Sequence, residues 1–366
     1  MNTNSPCGGS LAEPPAIAAP GTAFLRNAWY VAAWAAEVPA GALFHRRILD
    51  EPILLYRKAD GTPVALTDRC PHRFAPLHLG KLRGEAVECG YHGLRFDHTG
   101  ACVYNPHGSG APPRAAHVRV YPVVERYSAL WVWMGEAERA NPENIPVFDF
   151  MVPEHWFVGT GQMLVAANYQ LEIDNILDLS HIEFMHPMFA TEAVRRGKIQ
   201  SVQEGDTVWS KRFIRGDELN PFLLQAFRIP AGQLADRWLD VRWNAPALMA
   251  LYTGGVISGR PRSDGVEVPS AHIFTPETQS STHYFYAMSF SRVMGPAGET
   301  LAKEQVEVLR GPFEREDKPM IEAVERSMNG AELWSLQPVL LAGDAAAVKA
   351  RRVLEKLIDA ERPALG

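Results

Sequence analysis

The chain has 366 residues, of which 46% are hydrophobic and 21% are charged, a composition typical of globular proteins. At about 100–200 residues per domain, this length predicts two domains. Lys and Arg number 36 against 42 Asp and Glu, a net charge of −6, and no basic run indicates a nucleic-acid partner. The longest apolar runs are far shorter than the ~20 residues of a membrane-spanning helix. We therefore expect a cytoplasmic protein that binds neither nucleic acid nor membrane.

The first part of the chain predicts a tail followed by a small β domain. Residues 1–22 are rich in Pro, Ala, Gly and Ser and lack the basic start and apolar core of a signal peptide, so they predict a flexible tail. Short β-branched and alternating segments follow. Segments 48–56 and 63–66 flank Ala59-Asp60-Gly61-Thr62, which predicts a hairpin. We expect an antiparallel β domain over residues 23–145.

The rest of the chain, residues 146–366, mixes helical and strand patterns. One long helix is predicted at 168–185, and helical stretches at 301–327 and 345–360 close the chain. Alternating segments predict strands at 208–213, 238–243, 247–252, 271–274 and 282–288. This mixture predicts an α+β domain in which helices flank a central antiparallel sheet.

Cysteine and histidine occur twice at metal-site spacing in the first domain. Cys70 and His72 form a Cys-x-His motif, Cys89 and His92 form Cys-x-x-His, and sixteen residues separate the two. These four side chains could hold a zinc ion or a Rieske [2Fe–2S] cluster, in which the cysteines bind one iron and the histidines the other. Turn residues beside both pairs argue against two unrelated pairs in loops. The local sequences resemble Rieske proteins more than zinc modules.

A second candidate metal site lies between residues 174 and 187. Asp178 and His181 share a face if this segment is helical, so the Asp178 carboxylate could accept a hydrogen bond from the imidazole. His186 would point elsewhere on a regular helix, but Pro187 predicts that the helix loosens there. Two histidines and a carboxylate form the open iron site of oxygen-activating non-haem enzymes. Spacing leaves the carboxylate open among Asp174, Asp178, Glu183, Glu316 and Asp317.

From about Phe24 onward, the chain resembles the Rieske non-haem iron oxygenases, and within them the vanillate and dicamba O-demethylase branch. The matching stretches are 26–32, 70–77, 91–94, Asp174-Asn175 with Asp178-Leu179 and His181, His272-Ile273 with 275–278, and 316–318. The resemblance implies a Rieske [2Fe–2S] domain at 23–145 and a catalytic non-haem iron domain at 146–366. It also implies cluster ligands Cys70, His72, Cys89 and His92, and ligands of a mononuclear Fe(II) at His181, His186 and Asp317.

The same resemblance implies how electrons arrive. Asp178 would bridge His181 and His92 of a neighbouring subunit in a head-to-tail homotrimer, and Asn175 would lie close to the iron without binding it. The sequence predicts no flavin or nicotinamide site, because Gly108-Ser109-Gly110 lies in a Pro-rich loop. Electrons from NAD(P)H would therefore come through a separate ferredoxin or flavin reductase, with O2 as co-substrate.

The resemblance also suggests three substrate contacts. Aligned with the dicamba branch, His272 is kept, whereas Leu251 and Val308 replace an Asn and a Trp. We therefore expect a different and more apolar substrate, with His272 either contacting a carboxylate or carbonyl or serving as a structural histidine in a strand.

Three functions follow from these features. The leading hypothesis is a monooxygenase that hydroxylates or oxidatively removes an O- or N-methyl group of an aromatic compound, releasing formaldehyde. A ring-hydroxylating dioxygenase that forms a cis-diol would use the same iron sites. An electron carrier would use only the first domain and would leave Asp178, His181, His186 and Asp317 without a role.

Overall fold

The structure is a computed structural model that describes residues 24–187 and 191–361. The predicted tail, residues 1–22, lies outside the described residues. Short strands form three antiparallel sheets in the first part of the chain, in the orders β1-β11-β10, β2-β3-β4-β9 and β5-β6-β7-β8. These strands are β1 (Trp29–Trp34), β2 (Phe44–Ile48), β3 (Glu51–Arg57), β4 (Pro63–Thr67), β5 (Lys81–Arg83), β6 (Ala86–Glu88), β7 (Arg95–Phe96), β8 (Cys102–Tyr104), β9 (Val120–Tyr121), β10 (Val123–Arg126) and β11 (Ala129–Trp133).

The predicted hairpin is present, but its first strand begins later than expected. β3 pairs with β4 across the turn, with Arg57 opposite Pro63. Leu49 and Asp50 adopt positive φ angles of 51° and 66° and form a tight turn between β2 and β3. Their N–H groups donate to carbonyls in the second half of the chain at 2.9 Å, so tertiary contacts hold a turn that the residue types do not favour.

A seven-stranded antiparallel sheet dominates the second part of the chain and confirms the predicted α+β fold. Its order is β12-β18-β17-β16-β15-β14-β13. The strands are β12 (Trp156–Val165), β13 (Lys198–Glu204), β14 (Thr207–Asp217), β15 (Ala235–Asn244), β16 (Leu248–Ile257), β17 (Val266–Thr278) and β18 (Ser281–Ser291). The domain boundary after residue 145 stays a prediction.

Helices cover one face of this sheet. They are α1 (Tyr169–Leu177), α2 (Ile182–Met185), α3 (Glu192–Arg195), α4 (Pro221–Ala226), α5 (Pro296–Pro312), α6 (Lys318–Met328) and α7 (Ala345–Glu361). The prediction of one helix over 168–185 is wrong, because α1 ends at Leu177 and Asp178 leaves helical geometry at φ −105° and ψ 89°. A π-helical turn, Phe313–Asp317, joins α5 to α6. Within the described ranges, no helix is long and apolar enough to cross a membrane.

The sheet has two buried faces. Side chains such as Leu239, Met249 and Tyr284 pack with the helices in one core. Side chains such as Ile273 and Phe285 point the other way and pack against the tryptophans of β1 and β11 in a second core. Because strand side chains alternate between the faces, one sheet both supports the helices and joins the two parts of the chain.

One glycine position shows how closely a helix approaches the sheet. A Cβ atom built on Gly159 of β12 would lie 1.9 Å from the main-chain oxygen of Ala302 in α5. Only glycine leaves room for this contact. It draws α5, and with it the π-helical turn, onto the helix-covered face.

Candidate metal centres

Two loops with the same backbone pattern carry the Cys/His motifs. In each loop, the cysteine N–H donates to the carbonyl five residues later, at 2.9 Å for Cys70 and 2.8 Å for Cys89. The N–H four residues later donates back to the cysteine carbonyl, at 2.9 Å and 3.0 Å. That fourth residue is left-handed in both loops, Phe74 at φ 60° and Gly93 at φ 73°. The matched turns bring the two motifs together at one end of the domain.

The donors in these loops suit a cluster. Cys70 and Cys89 are each 2% exposed, whereas the rings of His72 and His92 lie nearer the surface with centroids 4.5 Å apart. Burial raises the pKa of the Cys70 thiol to about 11, and the nearby Cys89 contributes further. Thiolates at these positions therefore need a cationic partner, which the irons of a [2Fe–2S] cluster would provide.

The second site joins residues from distant parts of the chain. His181 follows the break after α1, His186 follows α2, and Asp317 ends the π-helical turn. His181 Nε2 lies 3.5 Å from Asp317 Oδ1, and His186 Nε2 lies 3.3 Å from Asp317 Oδ2. One ligand atom from each residue lies within 4.8 Å of the others. The three side chains can thus bind one metal ion.

Outer hydrogen bonds orient both histidines. His181 Nδ1 donates to the main-chain carbonyl of Asp178 at 2.7 Å, and His186 Nδ1 lies 2.5 Å from Glu316 Oε2. Both Nε2 atoms are therefore left to face Asp317, as metal-binding imidazoles require. The prediction that the Asp178 carboxylate accepts from His181 is wrong, because the main-chain carbonyl takes that role.

Tertiary ion pairs distinguish among the candidate carboxylates. Arg351 of α7 binds both carboxylate oxygens of Asp174, at 2.9 Å and 2.6 Å. The Arg212 guanidinium pairs with Glu183. Asp317 is 2% exposed, and its Oδ2 has no hydrogen-bond donor of good geometry among the described residues. Since a buried carboxylate oxygen needs a partner, this atom fits a bound cation.

The charges around the site affect the two histidines differently. Burial is the main cause of a lowered pKa at His181. Burial is also the largest effect at His186, but the carboxylates of Asp317 and Glu316 together raise its pKa. A metal ion at Nε2 would compete with the proton that these carboxylates favour.

The comparisons with known proteins agree with both sites. Residues 28–122 match the Rieske [2Fe-2S] domain, and residues 165–360 match the vanillate O-demethylase oxygenase C-terminal domain. The chain is 38% identical to the oxygenase component of chloroacetanilide N-alkylformylase of Rhizorhabdus wittichii, over 92% of this chain and 97% of the relative. It is 39% identical to the oxygenase component of dicamba O-demethylase of Stenotrophomonas maltophilia, over 91% and 98%.

The chain belongs to the Rieske non-haem iron oxygenases. A crystal structure of dicamba monooxygenase superposes with a TM-score of 0.86 at 36% identity, covering 93% of this chain and 99% of that one. Another, which contains non-haem iron and dicamba, has a TM-score of 0.76 at 35% identity, covering 92% and 98%. The cofactors of the oxygenase are therefore a Rieske cluster and a mononuclear iron.

Two further predicted residues lie beside the predicted iron ligands. Asn175 Nδ2 donates to Asp317 Oδ1 at 3.2 Å. The Asp178 carboxylate accepts from the N–H and the hydroxyl of Ser180, at 3.0 Å and 2.9 Å. Their roles in catalysis stay predictions.

The structure places two of the three predicted substrate contacts on the face that carries the site and the third at the surface. Leu251 and His272 lie on the sheet face that the helices cover. The structure does not bring Val308 to the site, because this side of α5 faces solvent and the residue is 46% exposed. Its neighbour Leu309 packs against the core instead.

Arg212 is a positioning residue that the sequence prediction missed. It is buried on β14, donates to the main-chain oxygens of Leu179 and Val194 at 2.8 Å and 2.5 Å, and pairs with Glu183. These contacts fix the segment that carries His181. A signal was present in the sequence, since Arg212 takes an inward position in the alternating strand between Ser210 and Ile214.

Proposed function

We propose that the oxygenase hydroxylates a methyl carbon attached to oxygen or nitrogen of an aromatic compound and so removes that methyl group. The observation that carries the proposal is the cluster of His181, His186 and Asp317, in a chain related to dicamba and vanillate O-demethylases. Two histidines and one carboxylate leave adjacent iron positions for other ligands. The relatives favour this monooxygenase activity over cis-diol formation, and the second site disfavours a simple electron carrier.

The reaction balances with electrons from outside the chain. When bound, the two metal groups supply electron transfer and oxygen activation. One O2, two electrons and two protons convert an aryl methyl ether into its hydroxymethyl ether and water, breaking one C–H bond and forming one C–O bond. The hydroxymethyl ether then splits into a phenol and formaldehyde, and an N-methyl compound gives the amine in the same way.

The chain's own residues hold and orient these groups. The Asp178 carbonyl and Glu316 set the direction of the two histidine rings, and Asn175 donates to Asp317. The Asp178 carboxylate is half-buried and accepts two hydrogen bonds from Ser180, so its remaining lone pairs can accept from a further donor. His92 of a neighbouring subunit would be that donor and would complete an electron-transfer bridge.

Exposed apolar side chains support the head-to-tail homotrimer. Phe74 and Tyr91, beside the cluster histidines, are 70% and 66% exposed. Phe184 and Leu341 flank the Asp178 region and are 81% and 70% exposed. Large apolar side chains at both ends of a predicted contact favour association, because their burial removes apolar surface from water.

The electron source is a separate protein in this proposal. Relatives of the chain are oxygenase components and iron-sulfur subunits of larger systems. We infer a ferredoxin or flavin reductase that takes electrons from NAD(P)H and reduces the cluster, and we place the system in the cytoplasm. The aromatic substrate would bind between the iron ligands and the sheet.

A single turnover tests the proposed function. Chemically reduced protein that contains both metal groups is mixed with O2 and a panel of methoxy-, N-methyl- and methyl-substituted aromatics, and the products are identified by mass and by a formaldehyde assay. A demethylated product with one formaldehyde per turnover supports the proposal. A cis-diol, or no product from any compound, contradicts it. Asp317→Ala serves as the inactive control that keeps the cluster.

A further inference from the structure

We infer that the oxygenase selects an uncharged aromatic substrate, and that the hydroxyl of Ser270, not a ring nitrogen of His272, donates a hydrogen bond to it. This inference rests on the proposed function and specifies its substrate class. It starts from a buried hydrogen-bonded chain of three side chains, Ser270, His272 and Tyr284, that the proposed reaction does not otherwise use.

The polar chain lies on the sheet face that looks toward the iron ligands. The His272 ring packs edge-on against Phe313, with centroids 5.4 Å apart, and Phe313 begins the π-helical turn that ends in Asp317. Leu251 lies directly opposite Ser270 in the pairing of β16 with β17. Leu251 and Phe313 are only partly buried, so this part of the face has accessible apolar walls.

Both nitrogens of His272 already have protein partners. Nε2 lies 2.9 Å from Ser270 Oγ, and Nδ1 lies 2.7 Å from the Tyr284 hydroxyl. His272 is fully buried, and burial lowers its pKa to about 3, so the ring is neutral. A substrate carboxylate therefore finds neither a free nitrogen nor a positive charge at this histidine.

The tautomer of the ring decides which hydroxyl is left to donate. A neutral imidazole donates through one nitrogen and accepts through the other. The Tyr284 phenol is a stronger acid than a serine hydroxyl, so it donates to Nδ1, and Nε2–H then donates to Ser270 Oγ. The Ser270 hydroxyl hydrogen remains for an acceptor on the side of Leu251, such as a carbonyl or ether oxygen.

The charges on this face disfavour an anionic substrate. The buried arginines that β14 and β15 place here are already paired, Arg212 with Glu183 and Arg237 with Asp217. The carboxylates of Asp317 and of Glu316, which contacts His186, balance the two charges of a ferrous ion. Burial of an anion without a cationic partner is strongly unfavourable. An amide, ester or ether of similar shape avoids this cost.

Binding of matched ligand pairs tests the charge preference. Isothermal calorimetry on the full-length, metal-loaded protein without O2 compares the ortho, meta and para isomers of methoxybenzamide with the corresponding methoxybenzoates. We expect at least one benzamide to bind, and to bind at least roughly tenfold more tightly than its benzoate, a difference of about 1.4 kcal/mol. Equal binding, tighter binding of the benzoates, or binding of neither series overturns the inference.

Serine variants test the donor. Ser270→Ala should weaken binding of the preferred benzamide by up to roughly tenfold, the usual range for one hydrogen bond, and Ser270→Thr should restore most of it. Ser289→Ala is the matched control, because Ser289 is equally buried in the same sheet but points to the opposite face. Unchanged binding in Ser270→Ala overturns the assignment of the donor.

The two proposals can fail separately. Tight benzamide binding without formaldehyde from reduced protein and O2 would contradict demethylation and leave the substrate class intact. Formaldehyde from benzoates at rates equal to those from benzamides would support demethylation and overturn the uncharged substrate.

Discussion

His181 Nδ1 donates to the main-chain carbonyl of Asp178 at 2.7 Å, while the carboxylate of Asp178 accepts from Ser180. The carbonyl and the carboxylate of Asp178 thus have different partners. Its carbonyl oxygen orients His181, and in our proposal its side chain contacts another subunit. Substitutions of the side chain should therefore leave the metal site intact.

Asp178→Asn tests this separation. We expect normal contents of cluster and mononuclear iron, because the carbonyl still holds His181, but turnover lower by roughly a hundredfold, about 2.7 kcal/mol in the barrier. Metal analysis and stopped-flow reoxidation of the reduced cluster measure the two effects. Asp264→Asn, an exposed change elsewhere in the domain, is the control. Normal reoxidation in Asp178→Asn would remove the bridge from the proposal.

Glu316→Gln tests the orientation of His186. The carboxylate lies 2.5 Å from His186 Nδ1, and loss of such an outer partner typically lowers metal affinity by roughly 10–100-fold. Competition with a chromogenic iron chelator measures the affinity, while the cluster spectrum should stay unchanged. Glu314→Gln, two residues earlier and paired with Arg310 at the surface, should bind iron normally. Equal affinity in both variants would contradict the role of Glu316.

Arg212→Lys tests the anchor of the His181 segment. Lysine keeps the charge but cannot reach the carbonyls of Leu179 and Val194 and the carboxylate of Glu183 together. Because buried carbonyl oxygens then lose their donors, the free energy of unfolding should fall by about 2 kcal/mol, measured by urea titration. Arg215→Lys, exposed on the same strand, should change it little. A small effect at Arg212 would show that the segment is held by other contacts.

The raised pKa of buried Glu172 should make the stability of the protein depend on pH. Burial, followed by the charge of Asp317, raises its pKa from 4.5 to about 8. Above pH 4.5 the unfolded chain releases this proton and the folded chain keeps it, so the residue lowers stability increasingly as the pH rises toward 8. The free energy of unfolding of Glu172→Gln, compared with that of the unsubstituted protein, should therefore rise by up to about 1.4 kcal/mol for each pH unit across this window.

Urea unfolding of iron-free protein at several pH values measures the Glu172 effect. The exposed Glu304→Gln should differ from the unsubstituted protein by the same amount at every pH. A constant difference for Glu172→Gln as well would mean that this carboxyl ionises normally in the fold.

The sequence predicts the local features of both sites well. The Cys70 and Cys89 motifs lie within short loops whose turns depend on neighbouring residues, so candidate ligands could be proposed without a fold. Pro187 correctly indicates that helical geometry ends at His186, which has φ −117° and ψ 77°. The break at Asp178 was not predicted. It arises because the Asp178 side chain accepts from the N–H of Ser180, in competition with helical hydrogen bonding.

Tertiary contacts show which candidate carboxylates are already paired, which sequence spacing could not show. Asp174 and Glu183 suit a metal ligand by position, but Arg351 and Arg212 reach them from elements far away in the chain. The side of α5 that faces the sheet likewise depends on the packing of the helix, so the residue type alone did not show that Val308 faces solvent. The spacing of residue types along the chain does not predict these tertiary contacts.

A single turnover under isotopically labelled O2 tests the central claim most directly. Reduced, metal-loaded protein is given a methoxy-aromatic substrate, and the products are analysed by mass. Our proposal predicts a demethylated phenol whose oxygen is unlabelled and formaldehyde, trapped at once, that carries one labelled atom, because O2 attacks the methyl carbon. A ring cis-diol with two labelled atoms, or a phenol with labelled oxygen, would contradict it.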